Sequence, residues 1–328
     1  MQITFLNNGV FFIIAAINSL ICFALFGMIG SVFGVLTVLF THIVYAAKPD
    51  NNIFYVWFLL VLVLMGALVG HVLKLSVGFY IYLFLFSCFY YVIYNKDACV
   101  DRAIPFFIIF SCMGTTLPAV SVDMPLAYVT GITVSLLLLR FFNRKTKSDG
   151  PFSNGLFARG SYTGNKNILL RAFVYSVFLF LSLFIPDYFD LYRPYWAPLT
   201  FIVLLRPKEM SILKITVSRF AGSVLGATFL LVLYYFFGFN SVYVYYVLLA
   251  VAVFMLPTFL NANYIAKTFA ITVFVLLLLE ETEYLHDPTY LLPVSRVYET
   301  FIGGSIAIVA SIALNALRDL QSKPDATR

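Results

Sequence analysis

The sequence predicts an all-α, polytopic integral membrane protein, and three observations carry that expectation. Of its 328 residues 62% are hydrophobic and only 11% charged, with mean hydropathy +0.95, whereas a water-facing surface is about a quarter to a third charged. Apolar runs close to the roughly 20 residues needed to cross a hydrocarbon core of about 30 Å recur along the whole chain. The runs lack the alternation over about ten residues that marks a membrane β-barrel, so helices are the expected spanning element.

Twelve candidate spans follow in order: 10–27, 29–47, 53–73, 76–94, 103–119, 124–142, 169–186, 193–206, 216–237, 241–259, 262–280 and 297–316. The flank MQITFLNNG has no Lys or Arg and makes a poor signal peptide. Cytoplasmic loops accumulate Lys and Arg. With the N-terminus inside, all of the 21 Lys and Arg except Lys74, Arg193 and Arg296 fall on the cytoplasmic side. Merging or splitting a span would scramble that asymmetry, so both termini are expected in the cytoplasm. The formal charge of +6 then reflects topology and anionic lipid, and no soluble basic surface offers itself to nucleic acid.

The polar stretch Asn143 to Asn167, NRKTKSDGPFSNGLFARGSYTGNKN, reads as a cytoplasmic linker. It separates an N-terminal six-helix half, 1–142, from a C-terminal six-helix half, 169–316, with 143–168 as linker and 317–328 as a cytoplasmic tail. Six spans per half make parallel repeats about the membrane normal. Gly66 and Gly70 in GALVG match Gly222 and Gly226 in GSVLG, a spacing that lets membrane helices pack closely. Within the second half RFAGSVLGA and RVYETFIGG align. Arg219, Gly222, Ser223 and Gly226 share one helix face; Arg296, Glu299, Thr300 and Gly303, followed by Gly304, share another. Nested inverted units of three spans are a known transporter plan, although both arginines could equally be interface anchors.

The span YWAPLTFIVLLRPKE is short. About thirteen helical residues rise only about 20 Å, Pro194 and Pro198 open the segment, and Pro207 stops it. A proline-bounded segment ending inside the bilayer points to a binding site, because irregular backbone at depth must line a cavity or be covered by protein. An interfacial amphipathic turn, KEMSILKITVSR, is expected to follow it. Arg206, Lys208 and Arg219 facing one cavity would attract a carboxylate from the cytoplasm, with Thr200 on the same short span. Arg296 is expected toward the outer mouth, to receive the anion or to pair with Glu299. Glu299 is the first proton-coupling candidate, since an acid within a span is costly and usually functional. His42 and His71 are the others, with hydrogen bonding to a neighbouring helix as their alternative. Lys267 reads as a snorkelling residue.

YWAPLTFIVLLRP, SRFAGSVLGATF and SRVYETFIGGSIAI together resemble the fusaric acid resistance and aromatic acid exporter superfamily over roughly residues 170–315. The resemblance implies an inner-membrane, multi-pass efflux protein for aromatic carboxylic acids and related anions. It also implies a periplasmic adaptor protein as a candidate partner, and a homo-oligomer stays open. Arg206 stands where many relatives carry a neutral Gln, and a linker of about 25 residues replaces their soluble domain.

Catalysis finds little support. GLFARGSYTG lacks the phosphate-loop lysine, and neither HExxH nor GxSxG occurs. No cofactor or metal is expected, and Cys22, Cys88, Cys99 and Cys112 have no zinc or disulfide spacing. The expected function is therefore secondary, proton-coupled export of a small organic anion across the lipid bilayer. A passive organic-anion channel is the alternative, and a membrane enzyme or scaffold a distant third. A reporter fused after Lys147 should read cytoplasmic and one within ETEYLHDP, 281–288, external; the reverse at either site contradicts this topology.

Overall fold

The structure, a computed structural model, describes residues 7–47, 53–117, 121–142, 166–207, 212–237, 242–283 and 291–322. The described residues form α1 (Asn8–Tyr45), α2 (Ile53–Leu73), α3 (Val77–Ile93), α4 (Val100–Gly114), α5 (Asp123–Phe142), α6 (Lys166–Tyr188), α7 (Trp196–Leu204), α8 (Leu213–Phe237), α9 (Val242–Asn261), α10 (Tyr264–Glu283) and α11 (Leu291–Ser322). Seven of these helices, α1, α2, α5, α6, α8, α9 and α11, contain stretches long and apolar enough to cross a membrane. The chain is a multi-pass helical membrane protein. Twelve long crossings are not what the helices provide: α3 and the apolar part of α10 are shorter, α4 has 15 residues, and α7 only 9.

The 38 residues of α1 are not one rod. Gly27 has φ 66° and ψ −149°, a conformation open almost only to glycine. Residues twelve apart on a straight helix are separated by about 18 Å, yet the hydroxyls of Ser19 and Ser31 lie 2.8 Å apart. The two arms of α1 therefore fold back on each other. The buried Asn18 amide nitrogen ties them, its two N–H groups shared among the Gly34 carbonyl at 2.7 Å, Ser135 Oγ at 2.8 Å, the Gly131 carbonyl at 3.0 Å and Thr37 Oγ1 at 3.2 Å. That cluster pins the hairpin to α5.

Helix pairs meet where side chains are small. A Cβ on Gly66 would lie 2.5 Å from the Phe107 carbonyl, and one on Gly70 would strike the Ser111 carbonyl, so α2 and α4 pack almost backbone to backbone. On the other side of the protein a Cβ on Gly222 would come 2.6 Å from the Ile265 carbonyl and one on Gly226 3.0 Å from Thr272 Cβ, which joins α8 to α10. Gly303 rests on Ala197 and Thr200 of α7, and Gly304 on Thr216 of α8. Such approach is how helices gain van der Waals contact in lipid, where apolar burial alone offers no preference.

Polar ties join the sets α1–α5 and α6–α11, two of them short. Tyr80 on α3 donates to Asp187 on α6 at 2.6 Å, and Asn8 on α1 to Thr258 on α9 at 2.6 Å. One apolar core runs from Phe11 to Leu314 across both sets. The expected interfacial turn after the short span gives way to helix, because α8 already begins at Leu213; residues 208–211 lie outside the described residues.

Leucine at Gly226 or Gly303 should lower stability by about 3 kcal/mol or more through overpacking, measured as detergent-solubilised thermal unfolding and folded yield. Gly78→Leu is the comparator, since a Cβ there meets nothing closer than 3.5 Å. Silence of both core variants contradicts the close-packing account.

Candidate functional site

The short helix α7 organises the site. Its 9 residues rise about 13 Å, and Trp196, Ala197, Pro198, Thr200, Phe201, Ile202 and Leu204 are buried. Helices α4, α6 and α11 pack around it. The chain enters through left-handed backbone at Asp190 (φ 49°) and Arg193 (φ 62°). Such a conformation costs an arginine on the order of 1 kcal/mol and persists only where its surroundings hold it. At the other end the helix stops at Leu205, and Pro207 prevents its continuation. The segment is thus a half-helix with both ends inside protein.

Its C-terminal end opens on a cavity of about 180 Å³ lined by Arg206, Arg219 and Lys267, with Tyr264 and Thr268 and the apolar Val203, Leu204, Ile215 and Ile271. Four segments supply this lining: the end of α7, its exit, and the beginnings of α8 and α10. The charged groups acting on Lys267 are all cations, Arg206, Arg102 and Arg219. Arg102, at the start of α4, likewise feels Arg206, with Asp101 as its acidic neighbour. Apolar walls around several like charges make a site that favours a small anion over a neutral molecule.

Arg219 and Arg296 do not stand at two separate mouths. Both are buried, and Arg219 acts electrostatically on Arg296. Arg296 lies over the Trp196 ring, 4.1 Å from its centroid, a cation–π contact at the N-terminal end of α7. Glu299, one turn along α11, is fully buried. Arg296 and the backbone N–H of Ala197 act on its carboxylate, but neither carboxylate oxygen has a hydrogen bond of ordinary geometry. The expected Arg296–Glu299 pair is therefore a neighbourhood without a formed hydrogen bond.

Other sequence candidates fall in different places. Thr200 is fully buried on α7, one turn before the cavity lining. Lys208 lies outside the described residues. His42 is buried on the second arm of α1, edge-on to Phe11 with ring centroids 6.2 Å apart. His71, near the end of α2, has its Nδ1 3.0 Å from Lys74 Nζ, which also donates to the Leu117 carbonyl. Neither histidine lines the cavity. Sequence reasoning missed Lys267 and Arg102 as parts of the cationic group. The available signal was that Lys267 shares an α10 face with Thr268 and Ile271; nothing comparable marked Arg102.

Residues 180–310 match the family model for fusaric acid resistance protein-like proteins. The stretch runs from within α6 to α11 and contains Arg206, Arg219, Lys267, Arg296 and Glu299. It falls inside the 170–315 over which the resemblance was expected. The matched stretch is less than half of the chain, and its likeness to that family supports a membrane transport or efflux role. No curated protein and no solved structure matches the chain.

Proposed function

We propose that the protein exports small organic anions, aromatic carboxylic acids among them, from the cytoplasm across the inner membrane in a proton-coupled cycle. The observation that carries this reading is the cavity at the end of α7, where Arg206, Arg219 and Lys267 converge beside a helix that ends inside the protein. A carboxylate entering from the cytoplasm meets fixed positive charge and can take two parallel hydrogen bonds from one guanidinium. Its volume of about 180 Å³ is below the roughly 300 Å³ of drug-sized clefts, which suits one compact acid.

The transport frame proposed is twelve helical segments in two six-segment halves with both termini in the cytoplasm, the arms of α1 counting as two. Matched packing supports it: α2 meets α4 through Gly66 and Gly70 as α8 meets α10 through Gly222 and Gly226. The cross ties support it as well, since the fourth segment of each half leans on the first of the other: α3 on α6, and α9 on the first arm of α1. In this frame the cavity opens inward, and Arg296 with Glu299 lies further along the path. An anion reaching Arg296 competes with Glu299 for it, and Glu299 freed from the arginine takes a proton. Anion and proton are then linked through one residue.

Proteoliposomes holding the full chain, given labelled benzoate and an imposed pH gradient, test both halves of the proposal. The wild type should accumulate benzoate against its gradient, and the pair Arg206→Gln, Lys267→Gln should lower the rate about ten-fold or more, the loss of charge-assisted hydrogen bonds. Glu299→Gln should keep benzoate exchange yet lose the response to pH. Flux that only dissipates a gradient identifies a passive channel instead. Full accumulation by Glu299→Gln makes Glu299 structural.

A further inference from the structure

One helical turn beyond the cavity lie three buried hydroxyls that the exporter reading leaves unused. Arg219 lines the cavity on α8, and four residues on is Ser223. Thr268 lines it on α10, and four residues on is Thr272. Leu204 lines it on α7, and four residues back is Thr200. A step of four residues keeps the same helix face, so each hydroxyl continues a cavity wall in the same direction. All three residues are 0% exposed, and none of the three hydroxyl oxygens has a hydrogen-bond partner. Their neighbours behave differently: Thr216, Thr268 and Thr300 each donate to the carbonyl four residues back on their own helix. The buried Nε of Arg219 and the Nε and Nη1 of Arg296 also lack partners.

Two guanidinium cations thus share a buried core with one carboxylate, Glu299, and the additional cations of the cavity add to the excess. Water can satisfy a hydroxyl but cannot neutralise charge in a low-dielectric interior. We infer that Thr200, Ser223 and Thr272, with the Nε of Arg219, form a second anion-binding position, one helical turn beyond the cavity and joined to it through Arg219, that takes one compact monovalent charge such as a carboxylate head or a halide. This position does not depend on the exporter reading.

Iodide quenching of tryptophan fluorescence provides the test. The chain has two tryptophans, so Trp57→Phe leaves Trp196, which is stacked against Arg296, as the sole reporter. In the full-length Trp57→Phe protein in detergent, iodide should quench with a saturable component. Adding Thr200→Val, Ser223→Ala and Thr272→Val should abolish saturation, while Ser223→Ala alone should weaken apparent affinity about five-fold or more. Adding Arg206→Gln and Lys267→Gln in the cavity should leave saturation in place. Relief of quenching by acetate identifies a position that takes carboxylates, and relief by chloride but not acetate identifies a resident inorganic anion; both outcomes uphold it. Purely linear, collisional quenching of the Trp57→Phe parent overturns the inference, as does saturation unchanged by Ser223→Ala and by the folded triple variant. Saturable quenching in a protein that moves no organic anion would refute the exporter reading and leave this one standing.

Discussion

A helix that rises about 13 Å cannot carry its backbone across a hydrocarbon core of about 30 Å, and each unpaired backbone group exposed to lipid costs several kcal/mol. The arrangement around α7 answers that constraint. Its N-terminal end faces Glu299 and Arg296 of α11, and its C-terminal end gives onto the cationic cavity. The enclosing helices must approach closely, and Gly303 supplies that contact on α11. The length of α7, the glycines around it and the polar residues at its two ends are therefore parts of one solution.

The two sets of helices treat buried polarity in opposite ways. In α1 and α5 the Asn18 amide has four oxygen neighbours within 3.2 Å, so the cluster is closed and stiffens the hairpin. In α7, α8, α10 and α11 the hydroxyls of Thr200, Ser223 and Thr272, the Nε and Nη1 of Arg296 and both carboxylate oxygens of Glu299 lack a hydrogen bond of ordinary geometry. Unsatisfied groups at depth cost about 1 to 3 kcal/mol each, and more when charged, and the proposed anion positions would offset that cost. The packing plan of the two sets is similar, but the buried Arg219, Arg296 and Glu299 all lie in the second, within the stretch that matches the family model.

Much of this was readable in the chain. The apolar run 53–73 coincides with α2, and Pro194, Pro198 and Pro207 marked α7 as short before any geometry was known. Apolar pattern also separated the two arms of α1, since Gly27 falls at the break between the first two runs. Which helix faces meet was less legible. Arg219 and Arg296 begin their helices in opposite directions, and that suggested two mouths. Antiparallel packing of α8 against α11, with Gly304 beside Thr216, instead brings the arginines into one buried neighbourhood. Lys267 resembled a snorkelling residue because its role depends on α7 ending opposite it, a tertiary fact with no local signature. Three serine and threonine hydroxyls look alike in sequence whether or not they bond to their own backbone.

α7 ends at a cavity, and the proposed function requires that cavity to be reached from the cytoplasm. Val203 lines that cavity, and the four native cysteines can be replaced by serine to give a silent background. Val203→Cys in inside-out membrane vesicles should react with a membrane-impermeant maleimide, should be slowed by benzoate, and should be inert in right-side-out vesicles. Labelling only from the outer face, or none from either face in a protein that folds, would contradict the account.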